Sequence, residues 1–327
     1  MRIGIRLAPR ASNTNQINFC YGLKIMLMWL IVITLAYLFF ALASLGDKLV
    51  LSGKPNPKSY TFYIGFFSIS ALLFIPFIKF GFPNTATMFW AALDAIVNII
   101  GLYTMFVAVK KFDVSRVIPT IGATQPIFIF ILAWIFWGYQ PTPLMDILAF
   151  IILLAGTIVI SVSKNLKFTG DYLKITLLSS LMFALDYIFS KSVYLNTPFL
   201  QGIIWIRIFM FLFALIFLIK KNSREEIFSK KMVSDRKTQM VFVYAQACGG
   251  LATLMQSFAI SLVPISFLAI VNSLRGIQYV FLFLITLFIS YFFPKILKEE
   301  LSKKIVFQKI ISIILIAVGL AILVVYQ

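Results

Sequence analysis

A few charged side chains stand inside otherwise apolar stretches of this sequence, and they offer the most chemistry. Asp94 and Asn98 lie four apart, which puts them on one face of a helix. Asp186 and Lys191 share a later stretch, Arg207 falls in the next, and Arg275 follows with Asn272 and Gln278 three residues to either side. Gln125, Gln246 and Gln256 add neutral hydrogen-bonding groups. Charge within an apolar stretch is costly, so each residue invites a functional and a structural reading. Asn272, Arg275 and Gln278 make a polar stripe. Either it lines a cavity in which Arg275 grips an anionic group through paired hydrogen bonds, or Arg275 holds a carboxylate elsewhere in the chain. Asp186 and Arg207 suit a buried structural ion pair. Asp94 serves either as a proton-carrying carboxylate or as the hydrogen-bond partner of Asn98. Lys191, near the end of its stretch, either works inside the protein or snorkels to a polar boundary. Among the aromatics, Trp205 and Tyr187 sit beside these charges and are the candidates for touching a bound molecule; most of the 35 Phe are expected to pack.

Other chemistries are poorly served. With no His in the chain, neither an imidazole base nor a His metal ligand is available. Cys20 and Cys248 are too far apart in sequence to suggest a metal motif. No phosphate-binding loop or nucleophile elbow occurs, so no catalytic residue, metal or cofactor is expected.

The elements that must position these residues follow from composition. Apolar residues make up 61% of the 327, charged residues only 12%, and the mean hydropathy is +0.99, which no water-soluble fold can hide. Ten apolar runs have the length of a membrane-spanning helix, at roughly 25–45, 60–79, 87–109, 117–137, 144–163, 172–194, 199–219, 239–262, 265–292 and 305–325. Backbone polar groups cannot stay unpaired in lipid, so the runs are expected to be helices of an all-α, multi-pass integral membrane protein. The intervening turns carry signals such as Gly53-Lys54-Pro55-Asn56-Pro57 and Val263-Pro264. The net charge of +18 arises mainly in those short connections, which points to anionic headgroups and membrane orientation rather than nucleic acid. The run after Arg2, Arg6 and Arg10 is too long for a signal-peptide core and reads as a retained first helix.

A weak internal repeat divides the chain. Phe40-Ala41-Leu42 with Lys48 in the first run matches Phe183-Ala184-Leu185 with Lys191 in the sixth. Ala108 and Ser115 match Ala259 and Ser266, and Gly156 matches Gly319. The offset grows where the second half has longer loops, as duplication followed by insertion leaves it. We therefore expect a basic tail at 1–23, a first five-helix repeat at 24–163 and a second at 172–326. An odd number of helices per half reverses the second half in the membrane, giving an inverted repeat with an interface near the midplane.

At this point the residues resemble the drug/metabolite transporter superfamily in its EamA-type, ten-helix branch. The resemblance rests on Tyr103-Thr104-Met105-Phe106-Val107-Ala108, Ile118-Pro119 and Gln125-Pro126-Ile127-Phe128. Pro264-Ile265-Ser266, Gln278, Phe281, Glu299 or Glu300 with Leu301-Ser302, and Gly319 stand as their counterparts in the second half. The acidic residue usual after the fourth helix is missing, for Gly138-Tyr139-Gln140 stands there. The resemblance and the inverted repeat point to a secondary transporter at the cell membrane that moves a small polar metabolite by alternating access, and the surplus positive charge at Arg275 points to an anionic group on it. A flippase for a lipid-linked headgroup and a membrane-embedded transferase are the alternatives. Orientation is divided: the odd-numbered connections are basic and so belong in the cytoplasm, whereas the resemblance implies cytoplasmic termini.

Overall fold

The computed structural model describes residues 12–51, 56–112, 114–138, 142–161, 169–228, 236–292 and 303–325. Among these every regular element is a helix. The first half holds α1 (Ser12–Leu51), α2 (Pro57–Phe67, tightening to a 3-10 helix over Ser68–Phe77), α3 (Thr85–Lys111), α4 (Val114–Trp137) and α5 (Leu144–Ser161). Then come α6 (Gly170–Asn196), α7 (Phe199–Ala214, ending as a 3-10 turn at Leu215–Leu218) and the short α8 (Lys221–Ile227). The chain closes with α9 (Arg236–Leu262), α10 (Leu268–Ser273, after a 3-10 turn at Ile265–Phe267), α11 (Gly276–Phe292) and α12 (Lys303–Val325).

Local signals explain where these helices start. Asn56 accepts the amide of Lys58 at 3.0 Å with Pro57 at the first helical position, Asn84 caps α3 through the amide of Thr87 at 2.8 Å, and Thr169 caps α6 through Tyr172. Lys110 and Lys111 end α3, where positive charge suits the helix dipole. The basic stretch after α7 is not wholly loop: α8 forms there, and its Glu226 meets Asn56 at 3.1 Å and Lys58 at 3.2 Å. Those two donors hold the Glu226 carboxyl below its ordinary range and put α8 on the same side as the start of α2.

Eight of the described helical segments are long and apolar enough to cross a membrane, and Leu144–Ile160 is a shorter apolar helix. Leu73, Ile135, Leu144 and Phe288 are among the many large apolar side chains left facing outward, as a lipid-facing surface requires. The protein is a multi-pass integral membrane protein of all-α fold. Inside, Trp29, Ile33 and Tyr37 of α1 pack with Ile129 of α4, Leu153 of α5, Ile188 of α6 and Leu274 beside α10.

One run departs from its expected form. The stretch 265–292 is not a single regular helix, because its turns tighten between α10 and α11. Arg275 N bonds Asn272 O at 3.0 Å, Ile277 N bonds Leu274 O at 2.9 Å and Gln278 N bonds Arg275 O at 2.9 Å, all three-residue turns. Carbonyls that lose their usual partners find hydroxyls instead: Tyr37 donates to Val271 O and Thr157 to Ser273 O, each at 2.8 Å. Gly276 allows this approach, since a Cβ there would lie 2.5 Å from Thr157 Oγ1 and 2.8 Å from Ile316 Cδ1.

Candidate functional site: a buried polar cavity

Four helices bring polar side chains to one narrow space. Its lining comes from Asp94 and Asn98 of α3, Asp186, Tyr187, Ser190 and Tyr194 of α6, Arg207 of α7, and Thr253, Gln256 and Ser257 of α9, with Ile206 and Ile260. The cavity among them is about 30 Å³, room for about one or two waters, so a larger guest needs the helices to part. Helical spacing makes the convergence possible, since Asp94 and Asn98 sit one turn apart, as do Asp186 and Ser190.

The hydrogen bonds differ from the sequence expectations in their pairing. Asp94, 1% exposed, accepts from Ser190 Oγ at 2.9 Å, and Asn98 Nδ2 donates to Asp186 Oδ1 at 2.9 Å rather than to Asp94. Both bonds cross from α3 to α6, and Ser179 adds a third by donating to Gly101 O at 3.0 Å. The Asp186–Arg207 pair suggested by the sequence is not among the ion pairs within 4.0 Å of the described residues; Arg207 Nη1 instead meets Met210 Sδ at 3.3 Å. Arg207 thus stands in the cavity wall with both carboxylates, its charge uncancelled by direct contact. Gln256 Nε2 donates to the hydroxyl of Tyr187, which is almost fully buried.

The other expected residues lie apart from this lining. Trp205 is turned away: its Nε1 donates to Gly81 O at 3.0 Å and its ring stacks on Phe80 with centroids 5.4 Å apart, pinning the connection before α3. The stripe at 272, 275 and 278 fans out. Gln278 Nε2 reaches Ser44 Oγ of α1 at 3.0 Å, while Arg275 Nη1 donates to Gln125 Oε1 of α4 at 2.7 Å. Asn272 is 0% exposed, and neither polar atom of its side chain makes a well-aligned hydrogen bond, although the Tyr187 hydroxyl stands beside it. Lys191 does not snorkel. Its Nζ donates to the carbonyls of Ile260, Ser261 and Val263 at 3.1, 3.2 and 2.5 Å, closing the C-terminal end of α9.

Sequence reasoning did not place Ser190, Tyr194, Thr253 and Ser257 here. Their signal was present, because 253, 256 and 257 fall on one helical face, as do 186, 190 and 194. No grouping of three or more Cys, Asp or Glu that could hold a metal occurs among the described residues.

Charged side chains around a cavity within a bundle of apolar helices are costly and invite a functional reading. Residues 27–162 match the model of the EamA-like transporter family, so the first half of the chain is similar to the drug/metabolite transporters. No curated protein matches the sequence. One solved structure, titled only as the crystal structure of a protein, aligns with 91% of this chain and 96% of its own at a TM-score of 0.61 and 16% identity, a likeness of fold.

Proposed function

We propose that the protein is a secondary transporter of the cell membrane, not an enzyme, that carries a small polar metabolite bearing an anionic group by alternating access. The observation that carries this reading is the cavity itself. Asp94, Asp186 and Arg207 stand around one narrow, partly open space, and a polar guest admitted as the helices part would recover their desolvation cost. Its walls join α3 of the first half to α6, α7 and α9 of the second. The proposed halves, 24–163 and 172–326, are supported by contacts that exchange between them. As α1 packs along α9, so α6 packs along α3; as α4 packs on α6, so α11 packs on α1. Such an exchange suits two five-helix inverted repeats, ten helices in all, that rock about a shared site. Its partners in this reading are the bilayer and a small molecule, with no nucleic acid and no cofactor.

The test is a panel of water-soluble metabolites offered to the purified protein in detergent, scored by thermal unfolding, since a ligand of the folded state raises the melting temperature. At least one small polar compound should stabilise the protein and enter proteoliposomes, and Asp186→Asn or Arg207→Gln should weaken both effects. Binding of polyprenyl-linked sugars with no response to any metabolite would replace this reading with a flippase.

A further inference from the structure

The arginine at the tightened turn between α10 and α11 is held in an unusual way. Arg275 lies ten residues beyond Ile265 in its run, about 15 Å along the axis at helical rise, too deep to snorkel readily. No carboxylate stands within 4.0 Å of it among the described residues. What it touches is an amide: Gln125 Oε1 takes Nη1 at 2.7 Å, and Gln125 is itself anchored by donating Nε2 to Phe183 O at 3.2 Å. Gln125 is 1% exposed, so both bonds are made away from solvent.

Two polar groups beside this bond are left open. Nε of Arg275 is buried without a hydrogen-bond partner, and Nδ2 and Oδ1 of Asn272, one turn earlier, make no well-aligned hydrogen bond. Of the nearby hydroxyls, Tyr37 donates to Val271 O and Tyr279 to Ile118 O, while that of Tyr187 accepts from Gln256 and stands beside Asn272. Unpaired buried donors are costly, and a buried cation without an anion costs more. An amide can fix a guanidinium in place without neutralising it, which a carboxylate cannot do.

We infer that Asn272 and Arg275 form a carboxylate subsite, and that Gln125 positions Arg275 while leaving its charge free for the cargo. The subsite rests on the transport reading and names the part of the cargo that this end of the protein recognises. A carboxylate would take the Nε edge of the guanidinium and the Nδ2 of Asn272. Gly122 of α4 lets Arg275 and Tyr279 pack against its backbone, for a Cβ there would lie 3.2 Å from Cδ of Arg275 and collide with the hydroxyl of Tyr279.

The experiment measures thermal unfolding of the full chain in detergent with sodium acetate, and with inorganic phosphate to separate carboxylate from phosphate, against sodium chloride at matched ionic strength. Acetate should stabilise the wild type, and Arg275→Gln and Asn272→Ala should abolish or weaken the shift. Position 125 gives the sharper test, because a carboxylate there competes with acetate for Arg275 whereas an apolar side chain merely releases it. Gln125→Glu supplies an internal carboxylate and should remove the acetate response. Gln125→Met removes the group that positions Arg275 and should raise the half-saturating acetate concentration about tenfold, the worth of one hydrogen bond to a charged group. The inference falls if acetate does not shift the wild type, if phosphate alone does, if Arg275→Gln keeps the response, or if Gln125→Glu responds to acetate as the wild type does. A protein that transports a neutral metabolite in an Asp186-dependent manner, yet ignores acetate, would overturn this subsite and leave the transport reading standing.

Discussion

Lys191 shows how a charge can be buried without an acid. The residue is 3% exposed, and its ammonium grips three carbonyls at the end of α9, where the helix dipole is negative and the last carbonyls lack amide partners. Lys191→Met should lower stability by about 1–3 kcal/mol, the net worth of charge-assisted bonds to backbone. Thermal unfolding in detergent checks this, with Lys191→Arg expected to recover part of the loss; an unchanged melting temperature for the Met variant would show that the contact contributes nothing. The sequence made Lys191 conspicuous as a lysine inside an apolar run, but its task depended on where α9 ended. Val263-Pro264 marked that end, yet no local pattern brings residue 191 beside it. The matching Lys48 has a side chain outside the described residues. Asp94, Asn98 and Asp186 were legible as polar members of apolar runs for the same reason, whereas the exchange of partners between them depends on how α3 and α6 are set against each other.

At the scale of elements, periodicity and length placed the helices, because an apolar run in lipid has no alternative backbone arrangement. The tightened turn over 271–278 escaped that reasoning. Its causes are long-range: hydroxyls of Tyr37 and Thr157 reach carbonyls of Val271 and Ser273, and Ile316 crowds the backbone at Gly276. Gly276→Ala should therefore be costly. Its new Cβ would fall 2.5 Å from Thr157 Oγ1 and 2.8 Å from Ile316 Cδ1, and overpacking of this kind costs about 1–3 kcal/mol. Pairing it with Ile316→Val should restore part of the loss in thermal unfolding, and an Ala variant as stable as the wild type would mean that the α5–α12 contact yields freely. A glycine in an apolar run is a common packing residue, so sequence alone did not distinguish this one.

Across the whole molecule, the side of the membrane is the open geometric variable that charge decides. The tie from Glu226 of α8 to Asn56 and Lys58 puts the connection after α7 on the same side as the start of α2. Both connections are odd-numbered in the ten-run reading and basic, which favours the cytoplasm for them. Asn222→Cys, exposed on α8, should therefore resist a membrane-impermeant maleimide in intact cells and react after permeabilisation; ready labelling from outside would reverse the orientation. The bonds between α10 and α11 add a mechanical property to this frame. A 3-10 turn winds about 20° more per residue than an α-turn and rises about 0.5 Å further, so the segment is a screw wound past its resting pitch. Unwinding even three residues would turn α11 about 60° relative to α10 and draw it inward by about 1.5 Å. Such a turn would swing Gln278 away from Ser44 and carry Arg275 round the axis, and it would require Tyr37 and Thr157 to release the carbonyls of Val271 and Ser273.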